Sequence, residues 1–158
     1  AVVFWLMGGF SYVEWKDVWA VLPLICLGIA AAYSFARDLN ILSLGEETAQ
    51  YLGVEVEKVK KMLLISGSLI TAAAVSISGL IGFIGLIIPH ITRILIGPDH
   101  RILLPASTIV GAMFLVICDA IARVIVSPAE LPVGVITALS GGPFFIYLLR
   151  KKKEGYAV

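Results

Sequence analysis

Residues able to carry charge or a proton are few in this 158-residue chain, and they are unevenly placed. Asp119 and Arg123 lie four apart inside an apolar run, a spacing that puts both on one helix face. Charges at membrane depth are costly, so they pair or face the protein interior. Three roles are open to them: a mutual ion pair near the outer end of a span, an outward-facing docking or lining role, and a proton relay. His90 follows Pro89, where an imidazole can satisfy carbonyls that the proline frees. His100 beside Asp99 fits a cap or a turn. Cys26 and Cys118 sit in separate apolar runs without a Cys-x-x-Cys or Cys/His cluster. Both read as buried small hydrophobes, with no disulfide and no metal. The sequence has no His-Glu-x-x-His and no glycine-rich loop ending in Gly-Lys-Ser/Thr, so no hydrolase constellation or nucleotide site is expected, and no cofactor.

The densest polar stretch, Ser43 to Lys61, is of another kind. Ser43 and Glu46 fit a capping box, in which each side chain takes up a free backbone N–H of a first helical turn. Leu44, Thr48 and Leu52 recur every four residues and give a short helix one largely apolar edge. Gly53 stands where a helix stops, since a left-handed residue there carries no penalty if it lacks a Cβ. A second charged turn, Glu55 to Lys61, leads into the next apolar run. Glu47-Thr48-Ala49-x-x-x-Gly53 resembles the Glu-Ala-Ala-x-x-x-Gly signature by which ABC-importer permeases contact their ATPases. It departs from that signature in having Thr at the second position and in lacking the downstream Ile-x-Leu-Pro.

The elements that must position these residues are membrane spans. The chain is 59% hydrophobic and 15% charged, with mean hydropathy +1.00, against roughly 25% charged in soluble domains. The formal net charge of +1 gives no reason to expect nucleic acid. Ala-Val-Val-Phe-Trp-Leu-Met at the start, without a basic n-region, reads as a cut through a larger protein. Trp15 and Trp19 among Glu14, Lys16 and Asp17 mark a membrane–water boundary. Val18 to Ala36 is then uncharged and long enough to cross, at about 1.5 Å per residue. Arg37, Asp38 and Asn40 end that span. Met62 to Thr92 carries no charge, and the spacing predicts a helix from Lys60 to Ser78. An irregular stretch through Gly79, Gly82 and Gly85 follows, then a short helix from Pro89 to Gly97. Ile102 to Val126 and Val133 to Leu149 are the last spans, the latter broken by Gly141-Gly142-Pro143. With Ser43–Lys61 on the cytoplasmic side, ten of the twelve Lys and Arg lie on or near that face, the basic tail Arg150 to Lys153 included. Only Lys16 and Arg123 fall outside.

Across nearly its whole length the chain resembles the FecCD-type permeases of iron-siderophore, haem and cobalamin importers. The resemblance is carried by Leu42-Ser-Leu-Gly-Glu-Glu-Thr-Ala-x-x-Leu-Gly-Val54 and Gly82-Phe-Ile-Gly-Leu-Ile-Ile-Pro-His90. It continues through Gly97-Pro-Asp-His-Arg101 with Leu103-Leu-Pro105, Ala129-Glu-Leu-Pro-Val-Gly134 with Thr137-Ala138, Gly142-Pro-Phe-Phe145 and the basic tail.

That likeness implies an all-α, polytopic membrane protein: about five transmembrane segments of a ten-helix ABC importer permease, forming the C-terminal half of one subunit. It implies ATPase coupling through residues 43–61, as a helix pair Leu44 to Leu52 and Val54 to Lys58. Gly45, Glu46, Glu47, Ala49, Leu52, Gly53 and Val54 are the coupling residues. Arg123 and Glu130 would dock an extracytoplasmic substrate-binding protein, and Ala138, Ser140, Gly141 and Phe144 would line the translocation path. The implied partners are ABC ATPase subunits, a second permease subunit and membrane lipid; ATP hydrolysis belongs to a separate chain. The competing readings are a secondary transporter or ion relay using Asp119 and Arg123, and a membrane scaffold whose polar stretch only recruits a partner.

Overall fold

A computed structural model describes residues 6–125 and 131–154, and among them every regular element is an α-helix. In chain order these are α1 (Trp15–Ser34), α2 (Ala36–Leu42), α3 (Glu46–Tyr51), α4 (Val56–Ser78), α5 (Ile84–Ile96), α6 (His100–Ile125) and α7 (Val133–Glu154). Helices α1, α4 and α6 are each long and apolar enough to cross a membrane, and α5 and the Val133–Tyr147 part of α7 are shorter apolar helices. This is a multi-pass membrane protein.

The helices form two packed groups. In one, α1 lies along α4; in the other, α5, α6 and α7 pack on one another. Short segments tie the groups together at both ends. At one end α2 and α3 run between α1 and α4, and α2 also packs on α6. At the other, the Gly9 N–H donates to the Ser78 carbonyl at 2.8 Å and the Gly134 N–H to the Gly8 carbonyl at 3.5 Å. Most large apolar side chains on the long helices are exposed, including Leu27, Leu64, Ile109 and Val116. An isolated soluble domain of this size would bury them; here lipid or other protein must cover them. The hydroxyls of buried Ser66, Thr92 and Thr137 are satisfied within their own helices, whereas the buried Ser107 Oγ on α6 has no hydrogen-bond partner. Thr92 Oγ1 donates to the Ile88 carbonyl at 2.7 Å and Thr137 Oγ1 to the Gly134 carbonyl at 3.1 Å.

Several expected boundaries move. Arg37, Asp38 and Asn40 do not end a span by unwinding it. The chain breaks at Phe35 (φ −96°, ψ 9°) and resumes as the separate helix α2. The charged turn before Lys60 forms no second short helix, because α4 starts at Val56 and runs unbroken to Ser78. Helix α5 begins at Ile84, five residues before Pro89, and carries that proline in its interior. Pro89 has no N–H, so the Gly85 carbonyl loses the intrahelical donor it would otherwise have at position 89. Nor do Gly141-Gly142-Pro143 break α7, which continues through them. Cys118 is buried as expected, but Cys26 lies exposed on α1.

Candidate functional site

The expected coupling element is well formed, but its N-terminus is built differently from the expectation. Ser43 closes α2, its Oγ donating to the Asn40 carbonyl at 2.6 Å, so no Ser43–Glu46 capping box exists. The N-cap of α3 is Gly45, with φ 112° and ψ 149°, a conformation that a Cβ disfavours. Glu46 turns away to the next helix, where Lys60 Nζ lies 2.7 Å from its Oε1. The C-terminus matches the expectation. Gly53 adopts φ 84°; its N–H donates to the Gln50 carbonyl at 2.9 Å and the Val54 N–H to the Ala49 carbonyl at 2.9 Å. That pair of bonds is a Schellman motif, and its usual hydrophobic contact is present, since Ala49 and Val54 share one buried cluster.

Burial sorts the expected coupling residues into two sets. Ala49 and Val54 face inward and, with Val56 and Val59, form a small core backed by Phe35, Ile41, Leu42 and Leu63. Gly45, Glu46, Glu47, Leu52 and Gly53 are exposed. So is the apolar edge of Leu44, Thr48 and Leu52, joined by Tyr51, which is 91% exposed. The helix therefore grips α2 and α4 with two small aliphatic residues and turns its larger apolar residues away from the rest of the chain.

One residue that the sequence reading did not single out for the site is tied into it from behind. Asn40, on α2, spends both ends of its amide on the start of α6. Its Nδ2 donates to Asp99 Oδ1 at 2.7 Å, and its Oδ1 accepts the His100 backbone N–H at 2.8 Å. The same oxygen lies 2.8 Å from His100 Nδ1; an amide oxygen only accepts, so Nδ1 carries the proton. Asp99 Oδ1 also accepts the Arg101 N–H at 2.9 Å. The Arg101 N–H and the Asn40 amide hold the Asp99 carboxyl below the usual carboxylate range. No local pattern betrays Asn40, because its partners lie some sixty positions further on.

The other candidates fall elsewhere. Asp119 and Arg123 close on each other, Nε to Oδ2 at 2.8 Å and Nη2 to Oδ1 at 3.3 Å. Glu130 lies outside the described residues. On α7, Val133, Thr137 and Gly141 make a buried stripe at four-residue spacing, with Gly141 directly against the Phe83 ring. Ala138 and Ser140 are on the exposed side; Ala138 borders an open apolar groove with Leu80, Gly134, Val135 and Leu139. Phe144 is half-buried and meets the His90 ring edge-on, with centroids 6.0 Å apart. His90 thus packs against an aromatic ring instead of serving carbonyls freed by Pro89. Among the described residues no group of three or more His, Cys, Asp or Glu converges as a metal site would require.

Comparison with known proteins gives this arrangement its setting. The chain is 50% identical over 151 residues to the cobalamin import system permease protein BtuC of Halobacterium salinarum, an alignment covering 96% of this chain and 40% of that one. It is 44% identical to the hemin transport system permease protein HmuU of Yersinia pestis, covering 95% and 45%. A solved metal-chelate type ABC transporter in an inward-facing conformation superposes with a TM-score of 0.87 at 39% identity, over 95% of this chain and 50% of that one. The chain thus spans less than half the length of the two permease relatives. The FecCD transport family model matches residues 1–151, and the chain belongs to the FecCD transport family.

Proposed function

We propose that this chain is the C-terminal half of a permease subunit in an ABC importer of metal chelates, haem or corrinoids, and that α3 is where a separate ATPase pushes on it. The observation that carries this reading is the division of α3. Ala49 and Val54 anchor it to α2 and α4, while Leu44, Tyr51 and Leu52 are exposed beside Glu47. A helix of six residues is too short to be stable alone. Its shape is held by its caps and anchors, and so is available for a partner to grip. The permease works as a pair with a second subunit, in the cytoplasmic membrane, with α3 and the basic tail on the cytoplasmic side. The distribution of Lys and Arg and the import permeases among its relatives support that orientation. At the opposite face Arg123, with Glu130, receives an extracytoplasmic binding protein. The path runs beside α7, by Ala138, Ser140, Gly141 and Phe144. The chain itself performs no covalent chemistry.

The test is made in the intact permease with its ATPase. Glu47→Ala and Gly53→Ala together should release the ATPase from co-purification or uncouple ATP hydrolysis from uptake. At Gly53 an added Cβ meets a left-handed backbone, at a cost of about 1–2 kcal/mol. Full uptake and normal assembly in the double variant would overturn the coupling assignment. Uptake that survives without ATP but collapses with the proton gradient would point instead to a secondary transporter using Asp119 and Arg123.

A further inference from the structure

Among the described residues, helix α3 packs chiefly on α2 and on the start of α4. A push on α3 therefore reaches α4 through the Ala49–Val54–Val56–Val59 cluster and the Glu46–Lys60 ion pair. For the group of α5, α6 and α7, the route at this end of the molecule is α2, which packs on α6. The polar part of that contact is the Asn40 amide. α2 is also not continuous with α1, since Phe35 interrupts the helix, although the two still pack on each other. Its other end is bonded tightly to the turn that leads into α3: the Leu44 N–H donates to the Ile41 carbonyl and the Gly45 N–H to the Leu42 carbonyl, each at 3.0 Å. The segment from Ala36 to Tyr51 is thus two short helices joined by a tight turn, set off from α1 by the break at Phe35 and fastened to α6 at Asn40.

The fastening is specific. The four N–H groups at the start of α6 all have acceptors. His100 donates to Asn40 Oδ1, Arg101 to Asp99 Oδ1, and Ile102 and Leu103 to the Asp99 carbonyl. One of the four donors is thus served by the segment carrying α3, and the Nδ2 bond of the same amide holds the N-cap Asp99 in place. Pulling α2 away would expose an N-terminal donor and free the capping carboxylate, so the two helices are held as one body.

We propose that Asn40 is a positioning residue for transport, the link by which movement of α3 is passed to the α5–α6–α7 group. The proposal rests on the reading of α3 as the ATPase contact. It predicts a particular defect. If the link is cut, the ATPases still bind and still hydrolyse ATP, but less of their motion reaches the spans.

The pattern of bonds supplies both a break and a repair. Asn40→Asp removes the Nδ2 donor and sets a second carboxylate against Asp99. Adding Asp99→Asn restores a bond between the two side chains with its polarity reversed. The amide at 99 donates to the carboxylate at 40, which still accepts from His100. But since Asp99 Oδ1 takes both the Asn40 and the Arg101 donors, an NH2 in that place gives up the Arg101 N–H. In proteoliposomes holding the complete transporter, Asn40→Asp should lower substrate carried per ATP hydrolysed by about tenfold, the loss of one charge-assisted bond. Recovery of the ATPase with the permease should stay normal, and the Asn40→Asp/Asp99→Asn pair should regain part of the ratio. The proposal is overturned if Asn40→Asp leaves the ratio unchanged, or if uptake falls only as the amount of assembled complex falls. It is overturned equally if the double variant is no better than the single one while assembling normally. Failure of the underlying reading looks different: the Glu47/Gly53 variant would then keep normal coupling whatever Asn40 does.

Discussion

Gly141 packs where no side chain fits. A methyl built on it would collide with Phe83 Cβ and Cγ and lie 2.9 Å from Cδ1, and no atoms outside Phe83 come as near. Phe83 cannot yield easily. Rotation about χ1 moves Cγ and the ring, but Cβ is fixed by the backbone, which here is left-handed at φ 67° and caps α5. Gly141→Ala must therefore push α7 away from the segment before α5, an overpacking cost of about 1–3 kcal/mol. Against this stands a gain of about 1 kcal/mol for replacing glycine inside a helix. The net expectation is a loss of up to about 2 kcal/mol with Phe83 present. In a Phe83→Gly background the obstructing atoms are gone, and the same substitution should become neutral or stabilising by up to about 1 kcal/mol. The difference, about 1–3 kcal/mol, is the coupling energy of a double-mutant cycle. It is measured as unfolding midpoints of the full-length permease in detergent, with uptake assayed beside it. Equal effects of Gly141→Ala in both backgrounds, additive within about 0.5 kcal/mol, would refute the packing argument. Lost uptake at undiminished stability would instead mark Gly141 as lining the path.

On the exposed edge of α3, Tyr51→Asp and Leu52→Asp should leave folding within about 0.5 kcal/mol of the parent, because neither side chain is buried. Both should weaken ATPase association in a pull-down from membranes, and retained association would count against that edge as the contact. Arg123→Glu should weaken binding-protein association most at low salt, where its charge is least screened; affinity unchanged at low salt rules that role out. For Asp99 the sign comes from a carboxyl held below its ordinary range. Its contribution is fully present above the unfolded-state value and is lost as pH falls through the lower folded-state value. The stability difference between the parent and Asp99→Asn should hold from pH 8 to about pH 5 and shrink only in stronger acid, as followed by thermal unfolding of the complex across that range.

What could be read in advance were features whose cause is local. The C-terminus of α3 was legible because a left-handed stop needs a residue without a Cβ, and Gly53 is that residue. The long spans were legible as apolar runs with few or no charges, and the family from motifs spread along the chain. The start of α3 was not. Ser43 and Glu46 have the spacing of a capping box, but each found another partner, Ser43 at the end of α2 and Glu46 in Lys60 on α4. Glycine and proline in α7 signalled a break that packing overrode, with Gly141 serving as a seat for Phe83 within a continuous helix. Asn40 was invisible for a different reason. Its role exists only once α2 lies against the start of α6, and nothing in the residues beside it encodes that meeting.

The glycine-rich segment before α5 shows why a membrane protein keeps such a stretch. Helix α5 has 13 residues, about 20 Å of rise against the roughly 30 Å of a hydrocarbon core. Residues 79–83 supply the rest without a helix. Leu80 lies against Gly134 near the start of α7, and Phe83 lies against Gly141, two helical turns further along. Seven residues of α7 rise about 10 Å, a distance that three extended residues cover at about 3.3 Å each. Non-helical backbone at that depth survives only if protein surrounds its polar groups. Here the Leu80 carbonyl is covered closely by Gly8 and Gly134. The small residues facing this segment are therefore required by the shortness of α5. The same close fit joins the two groups of helices at the end opposite Asn40, so that the long helices are fastened together near both of their ends.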